Sequence, residues 1–337
     1  MILEVKYMIQ DSGVFKKIEE TGIIPVIKID DPKSAVPLGK ALLDGGLPIA
    51  EVTFRTEAAE EAIGVISKEY PQLLVGAGTV LTEAQVDRAV IAGAKFIVSP
   101  GLNTEVVKYC IDRDIPIVPG CCTPSDIEKA LSFGLKVVKF FPAEASGGLN
   151  MLKAISAPYS MVKFIPTGGI HPGNLNDYLA FNRVLACGGS WMVKDELIKQ
   201  GSFDEITRLC SETIKTVMGF ELAHIGVNSE GEAEALDIAK CFSKMFIFGL
   251  KEGISSHFSG TGIEIIKGKG LGGNGHIAVR TNSINRALAY LHRCGQEPDM
   301  KTAKYDSSGN MTIVYLKAET GGFALHLLQK ISRLFND

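Results

Sequence analysis

Val137-Val138-Lys139-Phe140-Phe141-Pro142-Ala143-Glu144 is a run of bulky apolar residues with one lysine at its centre and a proline near its end. Valine and phenylalanine suit the pleated surface of a sheet, and proline ends a central strand because it has no N–H for the ladder. The run predicts a short buried strand in which Lys139 is the anomaly. A lone strand lysine ordinarily packs its stem on apolar surface and sends its head to water. Held away from water, the amine favours its neutral form and becomes a nucleophile toward carbonyl carbon. The rest of the chain decides between the two.

Working outward, seven similar runs accompany it, at residues 23–29, 48–54, 73–80, 96–100, 116–122, 163–167 and 184–192. Segments with helical periodicity lie between them, at 34–43, 57–69, 83–92, 104–113 and 125–131, and a closing helix is expected over Phe203–Met218. Thr82-Glu83 and Thr123-Pro124-Ser125-Asp126 read as helix starts. Strands alternating with helices require parallel pairing, because a parallel neighbour is reached through a crossover. Eight such runs predict a (β/α)8 TIM barrel; a doubly wound sheet would carry a Gly-rich turn after its first strand, where this chain has Asp30-Asp31-Pro32.

Alternate strand residues face a barrel's interior, and chemistry gathers at the carboxyl ends of its strands. That parity puts Glu51, Thr53 and Arg55 inside and Ala50, Val52 and Phe54 outside. It also turns Lys139 inward with Val137 and Phe141, and Thr79 offers a hydroxyl at the same mouth. A structural Glu51–Arg55 ion pair is the simpler reading of one strand; an inward lysine in the same barrel makes the set a site. Gly168-Gly169 and Gly188-Gly189-Ser190 follow the last two strands, where barrels frequently bind phosphate through backbone N–H groups. Lys28 and Lys163 compete with Lys139, but each sits near a strand end. Binding a sugar phosphate without turnover would need the glycines and Arg55, not an inward lysine beside a glutamate.

The chain has 337 residues, 46% hydrophobic and 22% charged, with a net charge of −3. That balance gives no electrostatic case for nucleic acid or an anionic membrane. Seven scattered cysteines without CxxC spacing indicate a reduced, cytoplasmic protein, and Met1–Tyr7 lacks the apolar core of a signal peptide. The expected boundary splits residues 1–218 from 219–337. The second part repeats itself: Ala223-His224-Ile225-Gly226-Val227 is echoed by Gly275-His276-Ile277-Ala278-Val279, and Ile263-Glu264-Ile265-Ile266 by Leu325-His326-Leu327-Leu328. A smaller α+β domain of two βαβββ-like repeats follows. Pseudo-twofold folding would gather His224, Glu264, His276 and His326, a donor set suited to a divalent metal.

Glu51-Val-Thr-Phe-Arg55-Thr, Gly76-Ala-Gly-Thr79-Val, Ser99-Pro100-Gly101, Lys139-Phe-Phe-Pro-Ala-Glu, Pro166-Thr-Gly-Gly and Gly188-Gly-Ser-Trp resemble the 2-keto-3-deoxy-6-phosphogluconate (KDPG) aldolases and the related 4-hydroxy-2-oxoglutarate (KHG) aldolases. The resemblance spans about residues 10–218 and implies a class I aldolase needing no cofactor, usually a homotrimer, acting on a small 2-keto acid. It implies Lys139 as the Schiff-base lysine, Glu51 as the general acid/base, and Arg55 and Thr79 as the groups holding the pyruvate carboxylate. Pro100, Phe141 and Thr167 would line the pocket, and Gly168, Gly169, Gly189 and Ser190 would hold the phosphate. An epimer such as 2-keto-3-deoxy-6-phosphogalactonate is the alternative substrate. The second part, about residues 221–329, resembles the vicinal oxygen chelate superfamily of glyoxalases and bleomycin-resistance proteins. It departs from the glyoxalases at His326, where they commonly have Glu.

Overall fold

The computed structural model describes residues 13–330; the segment read for a leader lies outside them. The chain divides into two compact units, Met1–Val217 and Met218–Asp337. No helix among the described residues is long and apolar enough to cross a membrane.

The first unit alternates strands with helices. Its strands are β1 (Ile23–Ile27), β2 (Ile49–Thr53), β3 (Leu74–Gly78), β4 (Ile97–Val98), β5 (Ile117–Val118), β6 (Val137–Phe140), β7 (Lys163–Pro166) and β8 (Cys187–Gly189). Six of them form a parallel sheet in the order β5-β4-β3-β2-β1-β8, while β6 and β7 pair in parallel as a second sheet. Parallel bridges Gly120–Lys139 and Thr167–Gly188 place β6 beside β5 and β7 beside β8. The strands are shorter than the apolar runs predict, for a local reason. Pro119 follows β5 on the side that faces β6 and removes a ladder donor there, so that pairing shrinks to a bridge at Gly120.

The strand starts are packed with apolar side chains: Ile24, Ile49, Leu74, Phe96, Val118, Val137 and Ile165 form one cluster, with Phe15 and Ile18 of the helix Gly13–Thr21. Each such side chain contributes ~1.5–3 kcal/mol when fully buried. Period-two alternation then fixes the next inward layer, Glu51 above Ile49 and Lys139 above Val137. The two read helix starts are capped: Thr82 accepts from the Gln85 N–H, and Thr123 and Asp126 form a reciprocal capping box.

The second unit runs β9 (Glu221–Val227), helix Glu232–Phe246, β10 (Leu250–Glu252), β11 (Ser256–Ser259) and β12 (Ile263–Ile266), then repeats that order. The second copy is β13 (Gly275–Thr281), helix Ile284–Arg293, β14 (Pro298–Tyr305), β15 (Met311–Thr320) and β16 (Phe323–Gln329). One mixed sheet results, β10-β11-β12-β9-β13-β16-β15-β14, with the two leading strands antiparallel at its centre. Ala235 and Ala239 of the first helix pack on Ile265, so the neighbouring Glu264 turns to the other face.

Candidate functional site

Glu51 and Lys139 stand on strands that are not neighbours, so they meet only across the interior. Lys139 Nζ lies 3.3 Å from Glu51 Oε1, with side chains 7% and 3% exposed. Desolvating both charges is costly unless they pair or are used. The lysine does not snorkel. Its backbone is fixed by the Lys139 N–H to the Pro119 carbonyl and by the Cys121 N–H to its own carbonyl, 2.9 and 2.8 Å. The Phe141 ring centroid is 5.3 Å from Nζ. Gly78 makes room for the glutamate: a Cβ there would sit 2.3 Å from Glu51 Oε1.

Beyond this pair the strands open into polar ends. Arg55 Nε donates to Thr79 Oγ1 at 3.2 Å, tying the segments after β2 and β3, and Thr79 holds a positive φ of 56°. Thr53 Oγ1 donates to the Ile27 carbonyl at 2.8 Å. Phe54 faces the helix layer, where the Arg88 guanidinium lies 5.7 Å from its ring. Thr167 is 7% exposed and packs against Gly188, where a Cβ would meet its hydroxyl at 2.4 Å. Gly168 and Gly169 have φ of 95° and 82°, a region other residues rarely enter. Gly168 lies against the Phe141 ring, and Gly169 against the Glu144 side chain, which accepts from the buried Tyr178 hydroxyl. A Cβ on Gly189 would strike the Trp191 ring; Ser190 beside it is exposed. Pro100 packs its carbonyl against Gly120, where no Cβ fits.

Residues 14–209 match the KDPG and KHG aldolase family. The chain belongs to that family. It is 50% identical over 204 residues to the 2-dehydro-3-deoxy-phosphogluconate aldolase of Treponema pallidum, covering 60% of this chain and 97% of the relative. To the KHG/KDPG aldolase of Escherichia coli K12 it is 47% identical over 193 residues, 57% of this chain and 91% of that one. Among solved structures it is similar to the KDPG aldolase of Legionella pneumophila, captured with pyruvate as a covalent carbinolamine. That likeness has a TM-score of 0.58 and 40% identity over 60% of this chain and 98% of the other. The family match ends at residue 209, ahead of the second unit.

In the aldolase unit the competing lysines are committed elsewhere. Lys28 Nζ pairs with Asp30 at 2.9 Å and Asp195 at 3.3 Å, and Lys163 Nζ donates to the Asn182 carbonyl at 2.5 Å. Sequence reasoning missed Gly78 and Gly120. The Gly76-Ala-Gly78 spacing carried the signal, since two inward glycines in one strand leave room for neighbouring side chains.

In the second unit, His224, Glu264, His276 and His326 come together on one sheet face. His224 Nε2 is 3.0 Å from both His276 Nε2 and Glu264 Oε2, and His276 Nε2 is 3.3 Å from Glu264 Oε2. The three imidazoles offer ligand atoms all within 4.8 Å of one another. Gly226 opens the floor, for a Cβ there would sit 2.1 Å from the His276 ring. Burial opposes ionisation of Glu264, yet hydrogen bonds with His224, His276 and Ser256 hold its carboxyl well below the usual range. Burial, with His276 and His224 beside it, lowers the His326 imidazole to about 3. Both His326 ring nitrogens are buried without a hydrogen-bond partner. His257, the other buried histidine lacking partners, pairs with Ile265 and so faces the helix side.

Proposed function

We propose that the first unit is a complete (β/α)8 barrel and that its site cleaves KDPG to pyruvate and glyceraldehyde 3-phosphate through a Lys139 imine. The Lys139–Glu51 contact carries this reading. The Lys139 amine adds to the C2 ketone and water departs, leaving an iminium. Glu51, within reach of a proton-transfer partner, takes the C4 hydroxyl proton as the C3–C4 electron pair moves into the iminium. The aldehyde leaves, the enamine is protonated at C3, and hydrolysis frees pyruvate and the amine. Arg55 and Thr79 suit the substrate carboxylate, since a guanidinium can bind both oxygens. Pro100, Phe141 and Thr167 would line the pocket. Gly168, Gly169, Gly189 and Ser190 would take the phosphate, and KHG, which lacks one, would bypass them and yield glyoxylate. The unit would assemble as a homotrimer. Borohydride reduction with pyruvate should convert the imine to a stable 1-carboxyethyl amine on Lys139; labelling elsewhere, or none, overturns the assignment.

The second unit carries a separate reading, as a domain like the vicinal oxygen chelate proteins with His224, Glu264, His276 and His326 around one divalent metal. Donors about 2.0–2.1 Å from one ion stand about 2.9–3.4 Å apart. The separations of 3.0, 3.0 and 3.3 Å among His224, His276 and Glu264 fall in that range, and His326 offers a ring nitrogen within 4.8 Å of those of the other two imidazoles. The partnerless His326 nitrogens give the observation a ligand would explain. The bound ion would act as a Lewis acid. Elemental analysis of protein prepared without chelators should find about one metal per chain, lost in a His224→Ala/His276→Ala double variant; metal-free wild type refutes it.

A further inference from the structure

Ala143 and Glu144, just past β6, bond across to the loop after β7. The Ala143 N–H donates to the Thr167 carbonyl at 2.8 Å and the Glu144 N–H to the Gly168 carbonyl at 3.1 Å. Successive carbonyls of an extended strand point to opposite sides, so two that reach one segment require a reversal. The φ of 95° at Gly168 provides it. A trans peptide points its N–H opposite its carbonyl. The Gly168 and Gly169 N–H groups therefore both face away from Ala143 and Glu144, as in the backbone concavities that bind anions. Among the described residues the Gly169 N–H meets no backbone acceptor.

The Glu144 side chain supports the same turn. A Cβ on Gly169 would sit 2.5 Å from Glu144 Cβ and 2.6 Å from its Cγ, so these methylenes rest directly on the glycine backbone. A carboxylate so near an anion site would cost affinity if left to swing freely. It has a dedicated partner instead: Glu144 Oε1 accepts from the hydroxyl of Tyr178, which is 1% exposed on the helix Leu175–Ala180. Burial, with the carboxylate beside it, keeps that hydroxyl protonated, so it acts as a fixed donor. Gly148 packs against the pair, for a Cβ there would lie 3.1 Å from Glu144 Oε1 and 3.4 Å from the Tyr178 oxygen. Asn174, just before the same helix, donates from Nδ2 to the Gly169 carbonyl at 3.2 Å. Two elements thus grip the diglycine turn, and the Tyr178–Glu144 bond links them.

We propose that Glu144 and Tyr178 are positioning residues of the aldolase, holding the Gly168-Gly169 peptides with their N–H groups aimed at the substrate phosphate. They would set the affinity for phosphorylated 2-keto acids without touching the reacting carbons. The inference rests on the phosphate reading given above for Gly168 and Gly169.

The test compares KDPG with KHG in the full-length chain. Tyr178→Phe keeps the buried ring and removes only the donor; Glu144→Ala removes the support. Each should raise the KM for KDPG, and the Ki of inorganic phosphate as its competitor, about tenfold, roughly the worth of one weakened charge-assisted hydrogen bond. The kcat for KDPG and the KM for KHG should change far less. Glu144→Gln keeps the methylenes and a carbonyl acceptor for Tyr178, and should recover most of the loss. Should Glu144→Ala not fold, Tyr178→Phe decides alone. Equal KM increases on both substrates would mark a merely structural pair and overturn the inference, as would an unchanged KM for KDPG in Tyr178→Phe. If Gly169→Ala discriminates between the substrates and these variants do not, only this inference falls. If Gly169→Ala does not discriminate either, the phosphate reading falls with it.

Discussion

A methyl group at Gly78 should disable the aldolase without removing any reacting atom. Gly78 lies inside β3 and lacks a positive φ, so Gly78→Ala asks nothing unusual of the backbone. The new Cβ would stand 2.3 Å from Glu51 Oε1, and ordinary contact begins at 3.4 Å, so the carboxylate must retreat by about 1.1 Å. A shift of that size displaces Glu51 Oε1 from its present position 3.3 Å from Lys139 Nζ. Misplacing a reacting group by about 1 Å costs on the order of 10²-fold, and losing a general acid/base about 10²–10⁴. We expect kcat for KDPG cleavage to fall about 10²-fold, about 2.7 kcal/mol of transition-state stabilisation. Three measurements separate positioning from collapse. Borohydride trapping of pyruvate on Lys139 should persist, while exchange of pyruvate methyl protons into D₂O, which needs the displaced base, should slow in step with kcat. A Glu51→Asp change in the Gly78→Ala background, one methylene shorter, should recover part of the exchange rate. Wild-type exchange in Gly78→Ala, or equal loss of trapping and exchange, would refute the reasoning.

Arg55→Lys keeps the charge but loses the planar fork, and should raise the KM for pyruvate about tenfold in the condensation direction with kcat little changed; a pure kcat effect would place Arg55 elsewhere in the reaction. Gly169→Ala forces a left-handed residue and a Cβ 2.5 Å from that of Glu144. It should raise the KM for KDPG far more than that for KHG, and equal losses on both substrates would contradict a phosphate site there. In the second unit, the depressed His326 means the unfolded chain binds more protons between pH 6.5 and about 3, so stability is present above 6.5 and falls with pH. The lowered Glu264 adds in the same sense, losing its contribution as pH drops below the ordinary value of 4.5. Calorimetry of the metal-free chain should show the second unit's Tm declining from pH 7 to 4, and declining less in His326→Gln; a flat wild-type profile would exclude both contributions.

Much of this was legible because parity is rigid. Ile49 and Glu51, or Val137 and Lys139, share a face whatever their neighbours do, so the inward glutamate and lysine could be read from spacing. Their 3.3 Å meeting could not, since it depends on how a sheet brings non-adjacent strands face to face. The leading strand of each C-terminal repeat was visible through its histidine. Strands β10 and β11 were not, because Leu250–Glu252 is wholly exposed and Ser256–Ser259 is too short to show alternation. The repeat made Glu264 and His326 counterparts in sequence, and the register bears this out, placing them opposite Gly226 and Ala278.

The apolar layer beneath Glu51 and Lys139, sealed by Phe15 and Ile18, sets a traffic rule. In the proposed barrel, with one end stoppered, the site would be a blind well, and whatever lies deepest would enter first and leave last. On the Lys139 imine reading, pyruvate would be tethered at the bottom and would wait for the aldehyde above it to depart. Condensation would then run in the opposite order, with pyruvate loaded before any aldehyde is captured.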